Sequence, residues 1–198
     1  MQSVGVLALQ GGVAEHAAIL RNLSFNVIEI RTPDALDSIS ALFLPGGEST
    51  TLLFLMKRWG LTEPIQRMGE NGFPIFGTCA GAVLLSSSIS EMEHEIKQES
   101  LRLADVKAIR NYFGRQTRSF IEDLSIQGLE ATFRGVFIRA PLLQPLSEKV
   151  NVLSRVDDGP VLVKQDNLWL SSFHPELTSD DRLHRLFLER SGLLSREE

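Results

Sequence analysis

The chain has 198 residues, of which 43% are hydrophobic and 23% charged, and its length and balance predict one globular domain, residues 1–198, with a large core. A formal net charge of -5 gives no electrostatic reason to expect nucleic acid or an anionic membrane as a partner. One cysteine excludes an intrachain disulfide framework, and with no signal-peptide pattern or membrane-length apolar run we expect a cytoplasmic protein.

The first half of the chain alternates short apolar runs with helix-compatible segments. Apolar runs that end near glycine or proline predict buried strands at Val4–Leu9, Asn26–Ile30, Ala41–Leu44 and Ile75–Phe76. The segments between them predict helices at Ala14–Leu23, Thr50–Arg58 and Glu63–Asn71. Strands alternating with helices indicate βαβ units and therefore an α/β fold with a mainly parallel sheet covered on both faces.

The second half indicates a different organisation. The polar, acidic segment Ser86–Leu103 predicts a solvated helical excursion, and Ser179–Arg190 predicts a final helix that Thr178 or Ser179 can cap. The short apolar runs between these segments predict strands at Val106–Ile109, Phe120–Asp123, Val136–Arg139, Val150–Val156, Val161–Lys164 and Leu168–Ser172.

Cys79 lies in a pattern that indicates a nucleophile. The segment Gly77–Gly81 reads G-x-C-x-G between an apolar strand and an apolar helix, the thiol counterpart of the G-x-S-x-G elbow. Such an elbow holds its nucleophile on a tight turn at the end of a sheet, at the N-terminus of a helix whose field favours a thiolate. A free cysteine is usually a small buried hydrophobe. The glycines and the strand-to-helix position favour the nucleophile here.

A glycine-rich loop follows the third predicted strand. Pro45–Ser49 stands between a strand and a helix, as the cysteine elbow does. In an open parallel sheet such loops meet at the carboxyl ends of the strands, where ligands bind. Paired glycines there can offer N–H donors to a polarised oxygen. An ordinary glycine turn before a helix is the alternative interpretation.

His174 and Glu176 form a candidate base and its orienting carboxylate. In extended chain, residues two apart project to the same side, and Pro175 favours extended backbone at His174. A carboxylate that orients an imidazole completes a system of nucleophile, base and orienting group. A surface His–Glu pair is the alternative. His16, His94 and His184 lie in polar, helix-like settings and are weaker candidates for the base, with His16 the strongest of the three.

The remaining motifs exclude some classes of site. One cysteine and the His174-x-Glu176 spacing match no familiar set of metal ligands, so we expect no metal. No P-loop or G-x-G-x-x-G pattern is present, and no cofactor is expected. Arg110 and Arg139 stand beside glycine or proline, and composition alone would place them in solvated loops.

Taken together, the motifs resemble those of class I, or triad, glutamine amidotransferases, and more narrowly those of the glutaminase subunits of pyridoxal 5′-phosphate synthase. The resemblance extends from about Val4 to the last helix. It is carried by the segments Gly5–Gly11, Leu44–Thr51, Gly77–Gly81, Arg110–Asn111, Phe113–Gln116, Val136–Pro141 and Ser172–Thr178.

The resemblance implies a fold, an activity and a partner. The fold would be a single-domain, flavodoxin-like, three-layer α/β structure with a mostly parallel, mixed central sheet. The activity would be hydrolysis of L-glutamine through a cysteine thioester, with ammonia delivered to a separate barrel-shaped synthase subunit that makes pyridoxal phosphate. Glutaminases of this family are largely silent until they dock.

The resemblance also implies roles for individual residues. Cys79, His174 and Glu176 would form the catalytic triad. Backbone N–H groups of Gly47 and Ala80 would form the oxyanion hole. The side chains and backbone that contact glutamine would belong to Gly47, Glu48, Ser49, Arg110, Ile138 and Arg139.

The chain departs from the family pattern at a few positions. Arg118 replaces a usual Asp before Ser-Phe, Gly12 and Ala14 alter the usual Gly-Ala-Val-Arg-Glu-His, and Ser86–Leu103 is longer and more acidic than expected. These departures leave the triad intact and concern the surface expected to face the partner.

Three other functions compete with this interpretation. The nearest is a glutaminase that serves another synthase, such as imidazole glycerol phosphate synthase. The second is a cysteine peptidase or stress hydrolase on a related flavodoxin-like scaffold. The third is a binding module without catalytic activity.

Overall fold

A computed structural model describes residues 2–91, 94–95 (backbone only), 98–113, 119–157 and 159–195. Its α-helices are α1 (Val13–Asn22), α2 (Ser49–Arg58), α3 (Thr62–Glu70), α4 (Ala80–Leu85) and α5 (Arg182–Arg190). Short 3₁₀ segments lie at Pro33–Ser38 and Pro175–Leu177. No described helix combines the length and the apolar character that a membrane crossing requires.

The strands of the first half agree closely with the predictions. They are β1 (Ser3–Leu7), β2 (Asn26–Ile30), β3 (Leu42–Leu44) and β4 (Ile75–Thr78). The later strands are β5 (Ser86–Glu91), β6 (His94–Glu95), β7 (Ala104–Arg110), β8 (Ser119–Leu124), β9 (Phe133–Ile138), β10 (Leu142–Pro145), β11 (Asn151–Val156), β12 (Gly159–Gln165) and β13 (Leu168–Ser171).

A mixed, mostly parallel central sheet organises the fold, as predicted. Its seven strands run in the order β11-β12-β13-β4-β3-β1-β2. Five neighbouring strands pair in parallel, in the order β2, β1, β3, β4 and β13. Beyond β13, strand β12 pairs antiparallel with β13, and β11 pairs antiparallel with β12. The carboxyl ends of β1, β3, β4 and β13 therefore meet at one edge of the sheet, where open α/β sheets bind their ligands.

Helices cover the sheet on both faces because the side chains of each central strand alternate. On β3, Leu42 and Leu44 pack into the core beneath α2, α3 and α4, whereas Phe43 packs into the core formed with α1 and α5. All three side chains are fully buried. Apolar residues on both faces are what a strand needs when helices lie above and below it.

The helix predicted over Ser86–Leu103 is wrong. The chain instead forms β5, which pairs in parallel with β7 from Ser86 opposite Ala104 to Glu91 opposite Arg110. Serine is a poor residue for a helix interior because its hydroxyl competes for backbone hydrogen bonds. Here the free edge of β7 offers those bonds instead. The four-stranded sheet so formed has the order β10-β7-β5-β6.

Further differences from the predictions concern the start of the last helix, the end of β9 and the strand β10. The last helix begins at Arg182, and Thr178 and Ser179 do not cap it: Asp180 Oδ1 instead accepts the Arg182 N–H at 3.1 Å. β9 stops at Ile138 because Arg139 has φ 48° and cannot continue a strand. The unpredicted strand β10 ends in Pro145 and lies at a sheet edge, where proline is tolerated.

Candidate active site

Cys79 occupies a strained turn between β4 and α4. Its backbone has φ 48° and ψ −102°, and its N–H donates to the Ser171 carbonyl at 2.7 Å. A non-glycine residue with positive φ is energetically costly and marks functional sites. At Gly81 an added Cβ would lie 2.0 Å from the Leu44 carbonyl oxygen, so the elbow closes against β3 only because this residue is glycine.

His174 and Glu176 meet after β13. His174 Nδ1 lies 2.7 Å from Glu176 Oε1. The sequence predicted an extended backbone between them, but the chain instead enters a single 3₁₀ turn at Pro175–Leu177. The His174 N–H donates to the Val136 carbonyl at 2.8 Å, which anchors this turn to β9. The two side chains therefore meet through a turn anchored by a neighbouring strand.

The imidazole of His174 lies between sulfur and carboxylate. Burial alone lowers the pKa of His174, but hydrogen bonds with Cys79 and Glu176 and the charges of both raise it to about 10. Gly46 makes room for this contact: an added Cβ would lie 2.3 Å from His174 Cε1 and 3.3 Å from Cys79 Cβ. The arrangement stabilises the protonated imidazole of His174 between Cys79 and Glu176.

Glu176 is ionised although its side chain is fully buried. Burial raises the pKa of Glu176, but the charge that His16 carries when protonated and the hydrogen bond and charge of His174 lower it to about 2. A buried carboxylate beside an imidazole fixes the orientation of the ring and stabilises its protonated form.

A cleft of about 220 Å³ opens in front of Cys79 and His174. Every residue predicted to contact glutamine or form the oxyanion hole lines it, whereas Glu176 lies behind His174. The lining residues are Gln10, Gly47, Glu48, Ser49, Cys79, Ala80, Val83, Arg110, Asn111, Ile138, Arg139, Pro141 and His174.

One wall of the cleft is a polar network around Gln98. Arg110 Nη1 donates to Gln98 Oε1 at 2.8 Å, and Arg110 Nη2 lies 3.3 Å from Glu48 Oε1. Gln98 Nε2 donates to Ser49 Oγ at 3.0 Å. This network brings Arg110 to the glycine-rich loop Pro45–Ser49. The sequence offered no signal for Gln98, which lies in the segment predicted to be a solvated helix.

The opposite wall is formed by the end of β9. Cys79 Sγ lies 3.8 Å from the Ile138 carbonyl oxygen, the weak hydrogen bond expected of a thiol. Arg139 follows in a left-handed conformation with its side chain exposed. No carboxylate of the described residues lies within ion-pair distance of Arg139. Its guanidinium can therefore receive an anion at the cleft.

Gln10 was missed as a member of the site. Its Oε1 accepts the Glu48 backbone N–H at 3.0 Å, and an added Cβ at Gly47 would lie 2.6 Å from the same oxygen. Gln10 thus holds the Gly47–Glu48 backbone from the end of β1. Gln10 follows β1 at the edge of the sheet where the other site loops meet, and this position could have indicated its role from the sequence.

The polar settings predicted for His16 and His184 are wrong. Both side chains are completely buried, and His16 Nδ1 lies 2.9 Å from His184 Nε2. Helical periodicity does not distinguish a polar side chain on the surface from one on the core face with a polar partner. Arg115, Gln116 and Arg118, and the side chain of His94, lie outside the described residues. Among described side chains, no group of three or more His, Cys, Asp or Glu could hold a metal ion.

Comparison with known proteins identifies the family of this chain. The family model described as the SNO glutamine amidotransferase family matches residues 6–192. A relative from Thermus thermophilus named pyridoxal 5′-phosphate synthase subunit PdxT is 49% identical, over 96% of this chain and 98% of its own. A relative of the same name from Ignicoccus hospitalis is 47% identical, over 96% of this chain and 99% of its own.

A solved structure described as a glutamine amidotransferase extends the likeness to the fold. It superposes with a TM-score of 0.88 at 47% identity and covers 96% of this chain and 98% of its own. The likeness therefore includes the central sheet and the edge that carries the cleft.

Proposed function

The chain belongs to the SNO glutamine amidotransferase family, and on that premise we propose that it is the glutaminase subunit of a pyridoxal 5′-phosphate synthase. It hydrolyses L-glutamine to L-glutamate and ammonia and so supplies nitrogen for vitamin B6 synthesis. The names of its near full-length relatives support this function over that of a peptidase or of a glutaminase for another synthase.

The partner in this proposal is the barrel-shaped synthase subunit, and the complex would form in the cytoplasm. The relatives are themselves named as subunits of a synthase, and alignments cover 98–99% of their lengths. The whole chain, residues 1–198, then acts as one glutaminase domain. Ammonia passes from it to the partner.

The observation that carries the proposal is that His174 contacts both Cys79 and Glu176 at the cleft. Cys79 gives its proton to His174, and Sγ attacks the carboxamide carbon of glutamine and forms a carbon–sulfur bond as the carbonyl becomes an oxyanion. His174 then protonates the departing nitrogen as the carbon–nitrogen bond breaks, which leaves a thioester and free ammonia. His174 next removes a proton from water, and the resulting attack on the thioester releases glutamate and the thiol.

The other residues of the cleft stabilise charge. Backbone N–H groups of Gly47 and Ala80 receive the oxyanion of each tetrahedral intermediate. The Glu48 carboxylate suits the α-ammonium group of glutamine, and the guanidinium groups of Arg110 and Arg139 suit its α-carboxylate. Ser49 and the backbone of Ile138 complete the contacts around the substrate.

The test is glutamate release from glutamine, measured with and without the synthase subunit. We expect turnover that rises when the partner is added and is abolished by Cys79→Ala. A matched Ser88→Ala variant, at an exposed position that does not line the cleft, should keep wild-type turnover. Turnover that survives Cys79→Ala would contradict the nucleophile, and no association at micromolar concentrations would contradict the partner.

A further inference from the structure

A buried pair of histidines lies behind the proposed triad. His16 projects from α1 and His184 from α5, and both side chains are 0% exposed. His16 Nδ1 lies 2.9 Å from His184 Nε2, a distance that requires a shared proton between the rings. The proposed chemistry uses neither residue. Two polar rings in a dry core need a reason to be there.

Glu176 connects this pair to the triad. Its Oε1 contacts His174, whereas its Oε2 is buried and makes no hydrogen bond of ordinary geometry within the described part of the chain. That oxygen lies 3.4 Å from His16 Nε2. The same nitrogen lies 3.2 Å from Thr78 Oγ1. The carboxylate thus has an imidazole on each of its two oxygens.

The contacts determine where the protons must lie. If His16 carried its proton on Nδ1, Nε2 could accept from the Thr78 hydroxyl, but its lone pair would also face the Glu176 carboxylate at 3.4 Å and repel it. His16 therefore carries its proton on Nε2, and Nδ1 must accept a proton from His184 Nε2. The other nitrogen of His184, Nδ1, is then bare, which agrees with its lack of a hydrogen-bond partner among the described residues.

Both rings are neutral in this arrangement. Burial lowers the pKa of His16, and burial together with the charge that His16 would carry if protonated lowers the pKa of His184 to about 3. A neutral pair can donate an N–H to Glu176 without neutralising its charge. A protonated His16 would compete with His174 for the same carboxylate.

We propose that His16 is a positioning residue for the glutaminase reaction, whose Nε2–H faces Glu176 Oε2 at 3.4 Å and stabilises the charge of the carboxylate while His184 fixes the tautomer of His16. The proposal rests on the proposed function, because the reaction it supports is that of the triad. Held on both oxygens, Glu176 keeps its orientation toward His174 as the imidazole gains and loses its proton.

The proposal predicts a change in pH dependence when His16 is lost. The titratable groups that face Glu176 or its partners are His16, His174, His184, Cys79 and Glu15. Removal of the His16 N–H leaves Glu176 Oε2 unpaired in a dry site, which raises the pKa of the carboxylate. The acid side of the activity profile then moves to higher pH.

Two experiments test the proposal. The first uses the unmodified protein: long-range ¹⁵N–¹H correlation spectra report the tautomer of each of its four histidines. We expect His16 and His184 both to carry their proton on Nε2. A proton on Nδ1 of His16 would overturn the proposal, and this result requires no variant to fold.

The second compares His16→Leu with His16→Gln, whose amide can donate a similar hydrogen bond. With the synthase subunit present, we expect His16→Leu to lower kcat about 10-fold or more with little change in KM, and His16→Gln to recover most of the loss. Because the chain has one cysteine, the pH dependence of its alkylation by iodoacetamide reports the same change without the partner. The proposal would be overturned if both variants lost kcat equally and the acid side of the activity profile stayed at the same pH.

The outcomes separate this proposal from the function on which it rests. Wild-type protein that releases no glutamate with its partner, and whose Cys79→Ala variant is no different, would contradict the glutaminase itself. Wild-type turnover that His16→Leu leaves unchanged would overturn only the positioning role. Thermal unfolding of both His16 variants shows whether a loss of kcat reflects a loss of folded protein.

Discussion

Glu48 and Arg110 are joined across the mouth of the cleft, with Glu48 Oε1 3.3 Å from Arg110 Nη2. The other oxygen of Glu48 accepts the Thr51 N–H at 2.8 Å and so caps α2. Burial raises the pKa of Glu48, but hydrogen bonds from Thr50 and Thr51 and the charge of Arg110 outweigh it and lower the pKa. One carboxylate therefore begins a helix and places a guanidinium beside the cleft.

Arg110→Met should weaken glutamine binding more than it weakens the fold. The pair is partly exposed, so its loss should lower the free energy of unfolding by less than about 1 kcal/mol. We expect KM for glutamine to rise about 10-fold, measured by glutamate release with the synthase subunit present. The matched Arg31→Met removes an exposed pair with Glu29 and should leave KM unchanged. An unchanged KM in Arg110→Met would remove Arg110 from the binding site.

Glu176→Gln should lower kcat by about 10²–10⁴-fold, because an amide cannot stabilise the imidazolium and can favour the wrong tautomer of His174. Glutamate release under saturating glutamine measures this effect. Glu15→Gln is the matched control, since Glu15 also lies near His16 but does not contact His174. A loss smaller than 10-fold in Glu176→Gln would argue against Glu176 as the orienting carboxylate.

The same substitution should alter stability at alkaline pH. The pKa of His174 is raised from 6.5 to about 10, so its contribution to stability is full below pH 6.5 and is lost as the pH rises toward 10. In Glu176→Gln the pKa of His174 is raised less, and the loss should be smaller. Urea unfolding at several pH values between about 6.5 and 10 measures the two slopes. Parallel curves for the two proteins would count against the coupling of His174 to Glu176.

His184→Phe should make the protein less sensitive to acid. The pKa of His184 is lowered from 6.5 to about 3, so its contribution is present above pH 6.5 and is lost as the pH falls toward 3. One proton taken up on unfolding corresponds to about 1.4 kcal/mol per pH unit. Between about pH 6.5 and 4.5, the free energy of unfolding measured in urea should fall less steeply with decreasing pH in the variant than in the wild type. The two slopes should differ by up to about 1.4 kcal/mol per pH unit. Phenylalanine keeps the ring that stacks on Phe43.

Gly46→Ala should abolish turnover by displacing His174. The new Cβ would lie 2.3 Å from His174 Cε1, so the ring must move from its place beside Cys79. Gly5→Ala is the matched control: its Cβ would lie 2.7 Å from Ile39 Cδ1, the end of a flexible side chain that does not line the cleft. We expect it to lower Tm and leave kcat unchanged. Turnover by Gly46→Ala close to that of Gly5→Ala would contradict the proposed geometry.

The sequence predicted the elements that depend on local pattern. Strand β2 has the predicted bounds, and β1, β3 and the first helices differ from the predictions by one or two residues at an end. The elbow at Cys79 was predicted because glycines on both sides of a nucleophile permit a strained turn in which Cβ atoms would clash. His174 and Glu176 were predicted to meet because they are close in the chain, although the turn that joins them was not foreseen.

The tertiary structure decided what depends on partners distant in the chain. Ser86–Glu91 forms a strand because β7 offers its edge, and serine residues alone do not reveal that edge. His16 and His184 are separated by 168 residues and become a buried pair only when α1 and α5 pack on the same face of the sheet. Local sequence determines which backbone conformations are accessible, whereas burial and pairing depend on which elements the fold brings into contact.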